Sequence, residues 1–302
     1  MVNNWAIPNF FIVGAPKCGT TALSEYLRRH PEIYIPVAKE LHFFGSDLLF
    51  RNKDITLERY LSNFSFWNSE KRVGETSVWY LYSKNAAEEI KQFSPSANIV
   101  MILRNPVEML YSLYHQLLYN GDEDLPTFEA ALDAEEDRKN GRRIPTNAHV
   151  VHSLFYTDIG KYTNQVRRYF DTFGVDRVHV ITFDDLIKDT SRAYRETLEF
   201  LCVDPNFRTD FNVVNPNKRV RSEFVKRLIR NRPQWLRRAI NKYVPQSVKY
   251  GVLYKIISLN TVSHPRPEMS EDTSRRLRKQ FAQEIEQLSS LLGRDLTHWT
   301  KE

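Results

Sequence analysis

Apolar positions along this chain come in short runs separated by stretches of helical periodicity. "FFIVG" (10–14), "RVGET" (72–76), "IVMIL" (99–103) and "VHVITFDDL" (178–186) are the runs. Their near-continuity, in place of strict alternation, predicts strands buried on both faces. "TTALSEYLRRHP" (20–31) predicts a helix ended by Pro31, and "DTSRAYRETLEFLCV" (189–203) a helix capped by Asp189 or Thr190. The stretch 270–293 sets Leu277, Phe281, Ile285, Leu288 and Leu292 at three- and four-residue spacing, the signature of a helix packed on a core. Strands alternating with helices predict an α/β fold with a central parallel β-sheet flanked by helices. Ligands of such sheets bind at the carboxyl ends of strands, here the loops after Val13, Thr76 and Leu103.

Composition narrows the picture. A length of 302 residues with 41% hydrophobic and 13% aromatic content predicts one globular domain spanning 1–302. No apolar run approaches the roughly 18 residues of a membrane span. The opening "MVNNWAIPNFF" lacks the basic and apolar regions of a signal peptide, and two cysteines, Cys18 and Cys202, offer no disulfide framework. The expectation is a soluble cytoplasmic protein. The net charge of +6 is uneven: Lys218 to Lys249 holds eleven Lys/Arg against Glu223, a local +10 that leaves about −4 elsewhere. A patch of this kind suits an anionic ligand or an anionic surface better than nucleic acid.

The chemistry starts in "FFIVGAPKCGTTAL" (10–23). A strand followed by Gly14, Ala15 and Gly19 and then a helix lets backbone amides approach an anion, with the positive end of the helix behind them. A nucleotide triphosphatase loop would carry lysine directly after the second glycine. Thr20 holds that place, and the lysine is Lys17, inside the loop. A magnesium-dependent enzyme also needs an acidic residue on a second strand. The obvious one, "IVMIL", runs into Arg104, which binds anions. The histidines, among them His30, His42, His115, His149 and His152, show no zinc-ligand spacing. These features point to a doubly phosphorylated nucleotide handled without metal.

At this point the chain resembles a known family. "PKCGTTAL" looks like the 5′-phosphosulfate loop of sulfotransferases that use 3′-phosphoadenosine 5′-phosphosulfate (PAPS). "LRNPVEMLYSLYHQ" (103–116) looks like their 3′-phosphate segment. The branch it resembles is that of the heparan-sulfate-type N- and 3-O-sulfotransferases and their bacterial relatives. The likeness extends through "KELHFFG" (39–45), "GKYTNQVRRYF" (160–170), "ITFDDL" (181–186) and "LLGRDLTHW" (291–299). It implies a P-loop-NTPase-like sulfotransferase fold with PAPS as donor and PAP as product, and no metal. It implies that Lys17, Cys18, Gly19, Thr20, Thr21 and Ala22 hold the 5′-phosphosulfate, and that Arg104 and Ser112 hold the 3′-phosphate. Lys218 and Arg219 fall where the family returns a basic loop to that phosphate. Glu40 takes the place of the base, His42 follows it, and Lys17 stabilises the leaving phosphate. The acceptor implied is a hydroxyl or amine, on a carbohydrate, a glycolipid or another hydroxylated small molecule.

Several features stay open on the sequence. His42, flanked by Phe43 and Phe44, either participates or only orients Glu40, and Lys39 with His42 also reads as a plain surface cluster. His115 is a weak candidate, because the histidine of the N-sulfotransferase branch falls where this chain has Gln116. "GETSVWYL" (74–81) carries Thr76 where glycosaminoglycan-modifying relatives often have lysine. Trp79, Tyr80 and Tyr82 line a sugar or adenine site, or pack the core. The acidic-then-basic segment 121–143 reads as a solvated helix begun at Thr127, or as an acceptor-side lid. The basic segment 217–244 predicts two helices broken at Pro233, suited to an anionic acceptor or membrane surface. Cys18, beside a helix N-terminus, is expected to have a lowered pKa. Two alternatives remain beside the transferase: a P-loop nucleotide kinase, and a non-catalytic module binding a nucleotide or an anionic surface.

Overall fold

The computed structural model describes residues 5–50, 55–211, 218–220, 261–263 and 267–301, the two short central segments by backbone only. The chain divides into two compact units, Met1–Asn212 with Met269–Glu302, and Val213–Glu268.

The first unit is built on a five-stranded, wholly parallel sheet of order β2-β3-β1-β4-β5. Its strands are β1 (Phe10–Gly14), β2 (Ile33–Tyr34), β3 (Arg72–Thr76), β4 (Asn98–Leu103) and β5 (Val178–Thr182). Every residue of β1 and β4 is buried, as their unbroken apolar sequences require once helices cover both faces. Phe10 lies opposite Gly74 on one side and Asn98 on the other, so β1 is the centre of the sheet. The chain runs outward to β2, returns through β3, then crosses to β4. That reversal leaves a crevice at the carboxyl ends of β3, β1 and β4, where open α/β sheets bind ligands.

Most predicted boundaries hold, and the departures have local causes. The first helix is Thr20–Arg28, ending three residues before Pro31. A proline disfavours helical geometry in the residue before it, and the chain turns at His30, whose Nδ1 accepts the Glu32 N–H at 3.1 Å. β5 stops at Thr182, short of the predicted Leu186, because the Thr182 hydroxyl accepts the Asp185 N–H at 3.3 Å and caps a helix over Phe183–Lys188. Asp189, and not Thr190, caps the helix Thr190–Phe200. The helix Glu271–Leu292 buries Leu277, Phe281, Ile285 and Leu288, with Leu292 half-buried, and Gly293 closes it in the left-handed region.

The segment 121–143 is not the solvated helix its charges suggest. Thr127 does cap a helix, Phe128–Asp133, and a second runs over Glu135–Lys139. Glu123 and Arg138 are buried and share a two-pronged ion pair at 2.6 and 2.7 Å, with the Tyr156 hydroxyl donating to Glu123 at 2.8 Å. A buried charge pair survives only with its remaining lone pairs satisfied, and Tyr156 supplies that.

In the second unit, β6 (Lys218–Val220) pairs antiparallel with β7 (Thr261–Ser263). Apart from the β6 residues, the predicted helices of 217–244 lie outside the described residues. No helix among the described residues is long and apolar enough to cross a membrane.

Candidate active site

The crevice begins with the loop between β1 and the Thr20–Arg28 helix. Gly19 sits at φ 89° and forms the N-cap without a side-chain hydrogen bond to the helix, so no cap side chain covers the amides of the first turn. A Cβ at Gly19 would lie 2.9 Å from Leu186 and 3.3 Å from Phe183, so only glycine suits both the conformation and the space. Lys17 also takes a left-handed conformation, φ 61°, and its Nζ donates to Gln116 Oε1 at 2.9 Å. Thr20 is buried, and Thr21 and Ala22 are half-buried along the same turn.

Cys18 contradicts the expectation of a lowered pKa. Its thiol is fully buried, donates to the Pro16 carbonyl at 3.3 Å, and is pushed up to about 12. Burial outweighs the attraction of Arg104 and Lys17, which both act to lower it. Those two opposing charges show that the loop and the end of β4 are electrostatic neighbours.

Arg104 leaves β4, and its Nε and Nη2 donate to Glu108 Oε2 at 3.1 and 2.7 Å while the guanidinium lies 4.7 Å from the Phe183 ring centre. The helix Pro106–Asn120 follows at once: Asn105 caps it by accepting the Val107 N–H at 3.0 Å, and Pro106 sits in its first turn. Ser112 is buried on this helix, and Gln116, four residues on, reaches Lys17. One helix therefore links the arginine segment to the phosphate loop. Lys218 and Arg219 lie on β6 of the second unit, and their side chains are outside the described residues.

The third strand end supplies the carboxylate. Glu40 and His42 hold left-handed φ values of 58° and 51°, uncommon for residues with a side chain. The end of β3 enforces them. The Glu40 N–H donates to the Thr76 carbonyl at 2.8 Å, the Val78 N–H donates to Glu40 Oε2 at 3.0 Å, and the His42 N–H donates to Ser77 Oγ at 3.2 Å. Lys39 Nζ lies 3.4 Å from Glu40 Oε1, and His42 Nε2 lies 3.7 Å from Oε2. Burial pushes the Glu40 carboxyl up, with Lys39 and the Val78 amide pulling it back. The His42 ring stacks on Phe50, centroids 4.4 Å apart.

Other candidates separate here. His115 packs edge-on against Tyr111 (4.5 Å) and Tyr114 (5.2 Å). Trp79 and Tyr80 are core residues, and Tyr82 is half-buried beside His152. Thr76 faces inward, its hydroxyl donating to Ser24 Oγ at 3.2 Å. Three site residues escaped the sequence reading. Phe183 packs between Gly19 and Arg104, and Ser77 and Glu75 underpin the Glu40 loop. Glu75 had one signal: it lies on a strand enclosed on both faces, where a carboxylate must find internal partners.

The chain matches the sulfotransferase domain family over residues 8–289 and belongs to it. It is 29% identical to a sulfotransferase from Alicyclobacillus acidocaldarius of known crystal structure, with a TM-score of 0.73 over 98% of this chain and 100% of that one. It is 31% identical over 109 residues to the membrane-associated sulfotransferase kil1 of Dictyostelium discoideum, which is 36% of this chain and 23% of that protein. It is 26% identical over 203 residues to human heparan sulfate glucosamine 3-O-sulfotransferase 5, which is 66% of this chain and 54% of that protein. The resemblance to the heparan-sulfate-type branch and its bacterial relatives is thus borne out, as is the P-loop-like α/β sulfotransferase fold. The chain spans about half the length, or less, of these curated relatives.

Proposed function

We propose that this chain is a PAPS-dependent sulfotransferase that moves a sulfuryl group to a hydroxyl or amine of a carbohydrate-type acceptor. The observation that carries the reading is the convergence of three strand ends. β1 presents a helix N-terminus with Lys17, neighbouring β4 presents Arg104 in place of an acidic metal ligand, and β3 holds Glu40. The donor set fits a doubly phosphorylated nucleotide. It has a glycine-bearing loop turn, first-turn amides without a side-chain cap, and separate cations for two anionic groups.

PAPS, when bound, supplies an activated sulfuryl group on a phosphosulfate anhydride. Amides and hydroxyls from Gly19 to Ala22 bind its 5′ end. Arg104 and Ser112 bind the 3′-phosphate. Lys17 neutralises charge on the leaving phosphate. Glu40 accepts the acceptor's proton, and the Val78 amide fixes one of its oxygens in place. A carbohydrate acceptor is supported by the named activity of the human relative, and the aromatic pair His42–Phe50 stacks beside Glu40.

The test is thermal melting with PAP, with MgATP and with adenosine 5′-phosphate. At one hundred times its dissociation constant PAP should stabilise the fold by about 2.7 kcal/mol without magnesium. Adenosine 5′-phosphate should give a much smaller shift. A shift with MgATP alone would overturn the reading in favour of a nucleotide kinase.

A further inference from the structure

Lys39 makes two contacts in different directions. Its Nζ donates to Thr21 Oγ1 at 2.6 Å, on the first turn of the Thr20–Arg28 helix, and lies 3.4 Å from Glu40 Oε1. We propose that Lys39 is a positioning residue for the transfer: its ammonium ties the base Glu40 to the helix that carries the cofactor loop, so both halves of the site share one cation. The inference rests on the reading of Glu40 as the base.

The geometry gives the tie two consequences. An ammonium has three donors and no lone pair, so Thr21 Oγ1 is fixed as the acceptor of this bond. The Thr21 proton is therefore not the one used in this bond. On the other side, the two Glu40 oxygens are held from opposite directions, Oε1 by Lys39 and Oε2 by the Val78 N–H at 3.0 Å. The carboxylate plane is thereby fixed. Glu40 makes this pair with its sequence neighbour while holding φ 58°. Strained conformations of this kind persist where surrounding contacts over-determine them.

Lys39 also governs the charge of the base. The ionisable groups facing Glu40 are Lys39 and His42 from its own loop and Glu75 from the end of β3. Burial acts to protonate Glu40, and Lys39 is the largest influence opposing it. A base must be ionised to accept a proton, so removing Lys39 shifts Glu40 toward its protonated form and releases the Thr21 hydroxyl as well.

The experiment is a carboxyl 13C NMR titration of the full chain labelled with [13C]glutamate, the Glu40 signal being identified by its loss in Glu40→Gln. In Lys39→Met the Glu40 midpoint should rise by about one pH unit or more, the size of the effect of an opposite charge within 4–6 Å. Lys39→Arg should restore it. An unmoved midpoint in a folded Lys39→Met variant overturns the inference. Should that variant fail to fold, Thr21→Val carries the test: it frees Lys39 from the helix, and an unmoved midpoint there overturns the tie. PAP melting of the wild type separates the two levels. Without a PAP shift the transferase reading fails, whereas a PAP shift with an unmoved midpoint sinks the Lys39 role alone.

Discussion

At the scale of single residues, Glu75 shows what motif reading leaves out. Its Oε1 accepts from Ser77 Oγ at 2.5 Å and its Oε2 from the Tyr60 hydroxyl at 3.2 Å, all within the core. Burial, helped by the nearby Glu40 charge and opposed by hydrogen bonds from Ser77, Tyr80 and Tyr60, raises its carboxyl to about 7. An unfolded glutamate titrates near 4.3, so between there and about pH 7 the folded chain binds more protons than the unfolded one. Stability therefore falls as pH rises through that window, by an amount of the order of 3 kcal/mol. In Glu75→Gln this loss should vanish. Urea unfolding at pH 5 and pH 8 should show a smaller drop in the variant than in the wild type, and an equal drop would show that Glu75 folds ionised. Lys17 belongs to the same scale. Lys17→Ala should lower kcat by about 10²–10³, as loss of a leaving-group donor does, and initial rates with PAPS read it directly. Lys17, Glu40 and Arg104 were legible because their chemistry sits in spacing along the chain. Glu75, Ser77 and Phe183 were not, because their partners come from other elements.

At the scale of elements, the strands could be read because enclosure on both faces leaves an unbroken apolar signature. β1 and β3 were placed to the residue, and β4 was extended by Asn98 alone. β5 was overrun because a polar cap, Thr182 with Asp185, ends it inside an otherwise strand-like run. Gly74 shows why β1 and β3 can pair as they do. A Cβ there would meet the Phe10 ring at 2.1 Å, and Phe10 is wholly buried with nowhere to move. Gly74→Ala should therefore destabilise the fold by about 1–3 kcal/mol through overpacking. It should also disturb the neighbouring Glu75–Ser77 contacts. Chemical denaturation measures the first effect; a variant as stable as the wild type would mean the two strands separate more easily than their burial implies.

At the scale of the whole molecule, the alternation of strands and helices predicted the sheet but not its order, because crossovers, and not local patterns, decide which strand returns beside β1. That order is what makes Cys18 a reporter on global opening. Cys18 is part of the phosphate loop with its side chain fully enclosed and its thiol pushed up to about 12, whereas Cys202 is exposed. Thiolates, not thiols, react with disulfide reagents. At pH 8 the native chain should take up one equivalent of such a reagent rapidly, at Cys202, and the second only as fast as the fold opens. In denaturant both should react together, and Cys202→Ser should abolish the fast phase. PAP, if it binds the loop that carries Cys18, stabilises the closed form and should slow the second phase in proportion to its occupancy. Rapid labelling of Cys18 in the native chain would show that the loop lifts away from β1 without unfolding. The cradle would then be assembled by the ligand, and not by the sheet.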